Sequence, residues 1–404
     1  MSANREADAL VSWSALAEPA DVGAAWLVAT LGAGDALDWV RQVGANPVAA
    51  TMELAQFAPP PQVDEAVKLS EKWVARLDIA DDRVHRDRAA KCGARVVTRG
   101  APEWPACLDD LGPVAPFALW VRGAGDLAHL MRTGIALVGA RSATAYGEHV
   151  TASICAELGD RGATVVSGGA YGIDAAAHRT ALASGDPTVA VMAGGVDRLY
   201  PAGNTDLLER VLEGGVVLSE VPPGYAPHRS RFLTRNRLIA TARATVVVEA
   251  AVRSGALSTA RHAASMVRPV GAVPGPVTSA SSAGCHALIR EGLACLVTSG
   301  AEVLEMAEPV GVVHAVGHSQ GADAPPDAAH PDSARASFSR PDFADPAQRA
   351  AYGAIGPRGS EAGAVARESG LTADQARAAL GGLEIAGLAR IERGVWVRRQ
   401  SLMS

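Results

Sequence analysis

Residues 135–144 read Ile135-Ala136-Leu137-Val138-Gly139-Ala140-Arg141-Ser142-Ala143-Thr144: an apolar run, a glycine turn, then a hydroxyl-rich start to a helical pattern. This grammar decides the fold, because it recurs. The runs Thr164–Val166, Thr188–Val191, Val216–Leu218, Thr245–Val248, Val270–Val273 and Leu296–Val297 are short, apolar and rich in β-branched residues. Gly-rich turns end them, and helical patterns of ten or more residues follow. Strands alternating with helices predict an α/β fold with a Rossmann-like, doubly wound, mostly parallel sheet. Near-continuous apolar strands suit a sheet covered by helices on both faces.

A length of 404 residues predicts two or three domains. Residues 1–88 read as a small helical domain, with apolar clusters such as Ala25–Val28 and Leu37–Val40 broken by Gly and by Pro59-Pro60-Pro61. The Rossmann-like domain spans 89–307, including a lead-in in which Ala94–Thr98 alternates like a strand and Trp104, Leu108 and Ala118–Val121 form a connector packed on the α/β repeats. Residues 308–345 turn to Ala, Pro, Asp, Ser and His without period, which predicts a disordered linker. Its His314, His318 and His330 are too irregularly spaced for a metal site. In 346–404, Thr372-Ala373-Asp374-Gln375 is a capping box. Ala389, Ile391, Val395 and Val397 alternate around Arg393-Gly394, so the tail predicts a winged helix-turn-helix.

The apolar share of 48% supports a real core, and an aromatic share of 4% makes it aliphatic. Cys92, Cys107, Cys155, Cys285 and Cys295 are odd in number and hold no CxxC pair, so they read as buried thiols rather than disulfides or zinc ligands. The first residues lack a basic start followed by an apolar run, and no stretch reaches a membrane-spanning length, so a cytoplasmic protein without a membrane partner is expected. A net charge of −6 argues against a polyanionic partner only as an average. Between His228 and Arg268, eight arginines face Glu249 alone.

The chemistry-bearing residues gather at the strand-to-helix turns. Val138–Thr144 offers backbone N–H groups and a helix start to a phosphate, but Arg141 stands where a dinucleotide fingerprint needs its second glycine. Ser167-Gly168-Gly169 opens a backbone nest ahead of Asp174, with His178 one turn further on; both residues read as structural. Gly194-Gly195 makes a third turn at the same edge. Arg235-Asn236-Arg237 splays its side chains by about 100° per residue, so one arginine is expected on a phosphate while the other holds the helix to the sheet. Arg253-Ser254-Gly255 starts a further helix. Turns that supply N–H groups and arginine, rather than paired carboxylates or metal ligands, describe a surface that binds several phosphates in a row. Tyr146, Tyr171, Tyr225 and Phe232 are the flat partners that bases of a single strand would need. A non-catalytic protein without cofactor or metal is expected.

Taken together, Val138–Ser142, Ser167–His178, Tyr200–Asn204, Ser219–Pro222, Phe232–Ala240 and Val247–Ala260 resemble the DprA (Smf) family of DNA-processing proteins, over about Ala94 to Ser299. Val273-Pro274-Gly275-Pro276 followed by Gly284–Gly292 also resembles the family pattern, with Cys285 and His286 in place of the usual Thr and Asn. Leu233 and Thr234 replace a Pro and a basic residue. The resemblance implies that the protein binds and protects incoming single-stranded DNA, helps load RecA recombinase during natural transformation, and dimerises through its Rossmann-like domain. It implies a DNA surface of Arg141, Ser142, Ser167, Gly168, Gly169, Arg235, Asn236, Arg237, Arg253, Ser254 and Gly255.

Two other readings compete. A nucleotide phosphoribohydrolase of the lysine-decarboxylase-like Rossmann group has similar glycine-rich strand ends, but its catalytic Glu, three residues after a Thr, is here His262. A duplex-binding transcription factor would use the tail to read DNA and the α/β domain as a ligand sensor.

Overall fold

Each predicted run from Gly134 onward forms a strand of one nine-stranded sheet. The computed structural model describes residues 2–308, 346–356, 359–385, 388–392 and 394–398. Apart from Glu308, the predicted linker and its three histidines lie outside them, as does Arg393 of the predicted wing turn. The strands are β1 (Ala94–Thr98), β2 (Ala118–Arg122), β3 (Gly134–Val138), β4 (Thr164–Ser167), β5 (Thr188–Met192), β6 (Val216–Ser219), β7 (Ala244–Val247), β8 (Val270–Ala272) and β9 (Cys295–Leu296). Their order is β1-β2-β6-β5-β4-β3-β7-β8-β9, with β3 to β9 parallel to one another.

The chain therefore steps from β3 through β4 and β5 to β6, then returns past β3 to β7. That reversal puts a topological switch point between β3 and β7, where the loops leaving their carboxyl ends diverge and open a crevice. All five residues of β3 and all four of β7 are buried, as a sheet covered on both faces requires. The lead-in corrects one expectation. Ala118–Val121 is a strand rather than a connector: it pairs antiparallel with β1 on one side and with β6 on the other, extending the sheet at its edge.

The N-terminal helices have their own core around Trp13, Trp39 and Trp73. Buried indole N–H groups need acceptors. Trp13 donates to Ala33 O at 3.0 Å, Trp39 to Ala50 O at 2.8 Å and Trp73 to Asp21 Oδ2 at 3.1 Å. This bundle is tied to the sheet domain by Glu18, which accepts from Arg231 of the helix Arg229–Ile239 at 2.9 Å, and by the Tyr225 hydroxyl, which donates to Ala15 O. Residues 1–306 thus form one compact unit, and residues 307–404 a second. In the second, the helices Pro346–Gly353, Ala362–Ser369 and Ala373–Ile385 pack around Ile355, Val365, Leu380 and Leu383, and a two-stranded hairpin follows.

Cys155 and Cys285 are buried and Cys92 and Cys107 half-buried, but Cys295 is exposed on the edge strand β9. For that residue the expectation of a buried thiol fails: β9 is a two-residue strand at the end of the sheet, and both its residues are exposed.

Candidate nucleic-acid interface

The carboxyl ends of β3, β4, β5 and β7 present the four glycine-bearing turns at one edge of the sheet. The first two turns are zipped together: Ile173 N donates to Ala140 O at 3.1 Å. Gly172 makes this approach possible, since it sits at φ +75° and a Cβ there would lie 2.1 Å from Ala140 O. Arg141 and Ser142 project from the first turn into solvent.

At the first two turns internal carboxylates occupy backbone N–H groups that the sequence offers to an anion. At the first turn, Thr144 caps the helix Ala145–Asp160, and buried Glu249, just beyond β7, accepts from Thr144 N at 2.9 Å and Thr144 Oγ1 at 2.7 Å. Glu249 also accepts from Ser281 Oγ at 3.2 Å. At the second turn, Asp174 Oδ2 accepts from Gly168 N at 3.1 Å and Ala170 N at 3.3 Å. Near the third turn, Asp197 Oδ1 accepts from Gly224 N at 2.8 Å. A nest whose N–H groups already hold a carboxylate does not also hold a phosphate.

The predicted surface residues accordingly divide in two. Arg141, Ser142, Arg253 and Gly255 are exposed, and Ser254 is half-buried. Ser167, Gly168, Gly169, Arg235, Asn236 and Arg237 are buried. Ser167 Oγ donates to Leu137 O at 2.6 Å, Asn204 Nδ2 to Gly169 O at 2.9 Å, and Asn236 Nδ2 to Gly255 O at 3.3 Å. Arg235 Nη1 donates to Gly168 O at 2.9 Å and to Val191 O. Burial pulls Arg235 down to about 10, which leaves it a cation at pH 7, and the same burial pushes Asp174 up against the pull of Arg235 and the turn's N–H groups. Arg237 donates to both oxygens of buried Glu220, at 2.6 and 2.7 Å, and to Val114 O. Both arginines therefore face inward, and the expected split, with one of them on a phosphate, is not seen. Of the eight arginines between His228 and Arg268, Arg229, Arg253 and Arg261 are exposed.

What the edge does present is an arginine–aromatic stack in which Arg141 and Tyr200 are exposed and Phe232 is half-buried. The Arg141 guanidinium lies 5.5 Å from the centroid of the Phe232 ring, Arg235 lies 6.0 Å from it, and the Tyr200 ring is tilted against Phe232 at 5.6 Å. Tyr171, exposed beside it, accepts from Gly203 N at 3.3 Å. Tyr200 is absent from the aromatics singled out by sequence; its place directly after the Gly194-Gly195 turn is the signal that could have found it. Tyr225 instead packs under Arg231, and Tyr146 donates to Pro274 O at 2.6 Å.

His178 is structural. Thr188 Oγ1 donates to Val165 O at 2.7 Å, so it accepts from His178 Nδ1 at 2.9 Å. Burial and the charge of Arg235 hold this imidazole down to about 3, and it is neutral in the folded protein at pH 7. The unfolded chain takes up the proton near pH 6.5, so the contribution is complete above that value. It is lost as the pH falls toward 3, at about 1.4 kcal/mol per pH unit. Urea-unfolding free energies measured from pH 7 to pH 5 should therefore fall less steeply for His178→Gln than for the wild type, by about one proton. Parallel curves would remove His178 from this role.

Residues 95–308 match the profile of the family described as DNA recombination-mediator protein A. The chain is 42% identical over 377 residues to a putative DNA processing protein DprA of Mycobacterium tuberculosis, covering 89% of this chain and 92% of the relative. It is 41% identical over 191 residues to the DNA processing protein DprA of Streptococcus pneumoniae, covering 47% and 66%. The X-ray structure of DNA processing protein A from Streptococcus pneumoniae superposes with a TM-score of 0.55 at 31% identity, covering 67% of this chain and 95% of that one.

Proposed function

Because the chain belongs to the DNA recombination-mediator protein A (DprA/Smf) family, whose members are recombination mediators rather than enzymes, we propose that it binds single-stranded DNA at the carboxyl edge of its central sheet. There it protects the strand and helps load RecA recombinase onto it in natural transformation. The observation that carries this reading is the stack of half-buried Phe232 with exposed Arg141 and Tyr200, beside turns where Thr144 N and Gly168 N already hold carboxylates. Closed nests disfavour a free dinucleotide or nucleotide, which would need backbone donors around its phosphates. A partly accessible ring beside an exposed guanidinium suits a base stacked next to its phosphate, as single strands allow and a paired duplex does not.

The active form in this proposal is a homodimer through the Rossmann-like domain, working in the cytoplasm. Among the described residues no helix is long and apolar enough to cross a membrane. Residues 346–404 act as a winged helix-turn-helix that contacts a partner or a second copy, and they are dispensable for holding the strand. Fluorescence anisotropy with labelled oligo-dT and a duplex of equal length tests the reading. The single strand should bind about tenfold more tightly or better at matched salt, reflecting stacking that the duplex cannot make. Equal affinity, or a preference for one duplex sequence, would reject it.

A further inference from the structure

The helix Arg229–Ile239, which carries Phe232, starts without the usual supports. Its cap residue, His228, makes no capping hydrogen bond, and no acidic residue stands in its first turn. Arg229 and Arg231 put positive charge there instead. The helix macrodipole opposes such a charge, and uncapped N–H groups weaken the turn further, so it needs a hold from outside the helix. Phe232 is the fourth residue of this helix, and its ring is placed by that weak turn.

The hold comes from the N-terminal bundle. Glu18 accepts from Arg231 Nε and Nη2 at 2.9 Å each, a two-point grip on a side chain that lies buried. Arg76 of the bundle donates to the same carboxylate at 2.8 Å, and His228 Nε2 stands 3.8 Å from it. Burial works to raise the Glu18 carboxyl, but Arg231 and Arg76 outweigh it and keep the group below the usual carboxylate range, so it is charged at pH 7. Arg231 also donates to Ala226 O at 2.9 Å and covers the Tyr225 ring. The Tyr225 hydroxyl donates to Ala15 O at 3.1 Å, and its carbonyl accepts from Gly195 N at 2.8 Å, in the turn that leads to Tyr200. The bundle is thus linked to both rings of the stack, to Phe232 through Arg231 and to Tyr200 through Tyr225 and Gly195. Further along the helix, Arg235 and Arg237 are anchored without the bundle, on Gly168 O and on Glu220.

We propose that Glu18 is a positioning residue for single-strand binding: through Arg231 the N-terminal bundle orders the helix start that presents Phe232, and so sets the affinity of a site it does not itself form. The inference rests on the single-strand reading. The sign of one substitution separates this role from simple electrostatics. Glu18→Gln removes a negative charge near a bound polyanion, which by charge alone strengthens binding. Loss of order at Phe232 weakens it.

The test measures oligo-dT affinity for wild type, Glu18→Gln, Phe232→Leu and the double variant, with amide hydrogen exchange on the first two. Glu18→Gln should bind about fivefold more weakly, a part of what stacking contributes. The double variant should bind as Phe232→Leu does, because a ring already absent cannot be misplaced. Exchange at residues 229–235 should accelerate in Glu18→Gln, while β3, β4, β5 and β7 keep their wild-type protection. Glu18→Asp keeps the charge on a shorter side chain, should change affinity and exchange in the same direction by less, and carries the test if Glu18→Gln folds poorly. Equal or tighter oligo-dT binding by the folded Glu18 variants, or additive losses in the double variant, would overturn the proposal while the single-strand reading stands. If wild type ignores oligo-dT, the single-strand reading fails and this proposal falls with it.

Discussion

Replacing Arg237 by Ala should destabilise the protein by about 3–5 kcal/mol, the cost of leaving a buried carboxylate without its partner. Arg237 is 4% exposed, and it donates to both oxygens of Glu220 and to the Val114 carbonyl. Truncation would strand the Glu220 carboxylate between β6 and the helix Arg229–Ile239. The paired substitution Arg237→Met with Glu220→Leu removes both charges at once and should recover most of the stability, since a buried ion pair and an apolar pair of similar volume are often close in free energy. Urea unfolding of the three proteins measures this directly. If Arg237→Ala kept wild-type stability and lost only DNA affinity, Arg237 would be a phosphate ligand rather than an inward-facing brace.

The largest effect on binding is expected at Phe232. Phe232→Leu keeps apolar bulk on the helix but removes the flat face that Arg141 and Tyr200 pack against. Base–aromatic stacking is worth about 1–3 kcal/mol per base, so oligo-dT affinity should drop about 5- to 150-fold. Phe232→Trp, which restores a flat face, should bind nearly as the wild type does. Loss of affinity in both variants alike would show that the position supports the turn rather than stacking a base.

The parallel sheet was legible because each strand announces itself locally. Thr188–Val191 and Val216–Leu218 fall within one residue of β5 and β6, since an apolar run stopped by glycine has little freedom to shift. The antiparallel strand β2 was not legible as a strand. Nothing local marks Ala118–Arg122 as joining β6, because that pairing spans about a hundred residues and no hairpin turn specifies it. The site divides in the same way. The turns could be read, but which side chains face inward could not. Asp174 lies far from Arg235 in sequence, as Glu249 does from Thr144, and spacing along the chain cannot show that such partners meet across the sheet. Hence Arg235 and Arg237, of which one was expected on a phosphate and the other against the sheet, both have internal partners. Tyr200, which shares its stack with Phe232, gave only the weak signal of a glycine turn before it.

In the proposed complex, exposed arginines, not the buried pair, hold the phosphates of a single strand. Oligo-dT affinity measured across a salt series, for wild type and for Arg141→Ala with Arg253→Ala, tests it most directly. Removing one arginine from a single-strand phosphate lowers the slope of log affinity against log salt by about 0.7. The double variant should therefore bind more weakly, with a slope shallower by about 1.4, at unchanged urea stability. Affinity and slope equal to the wild type would show that Arg141 and Arg253 hold no phosphate.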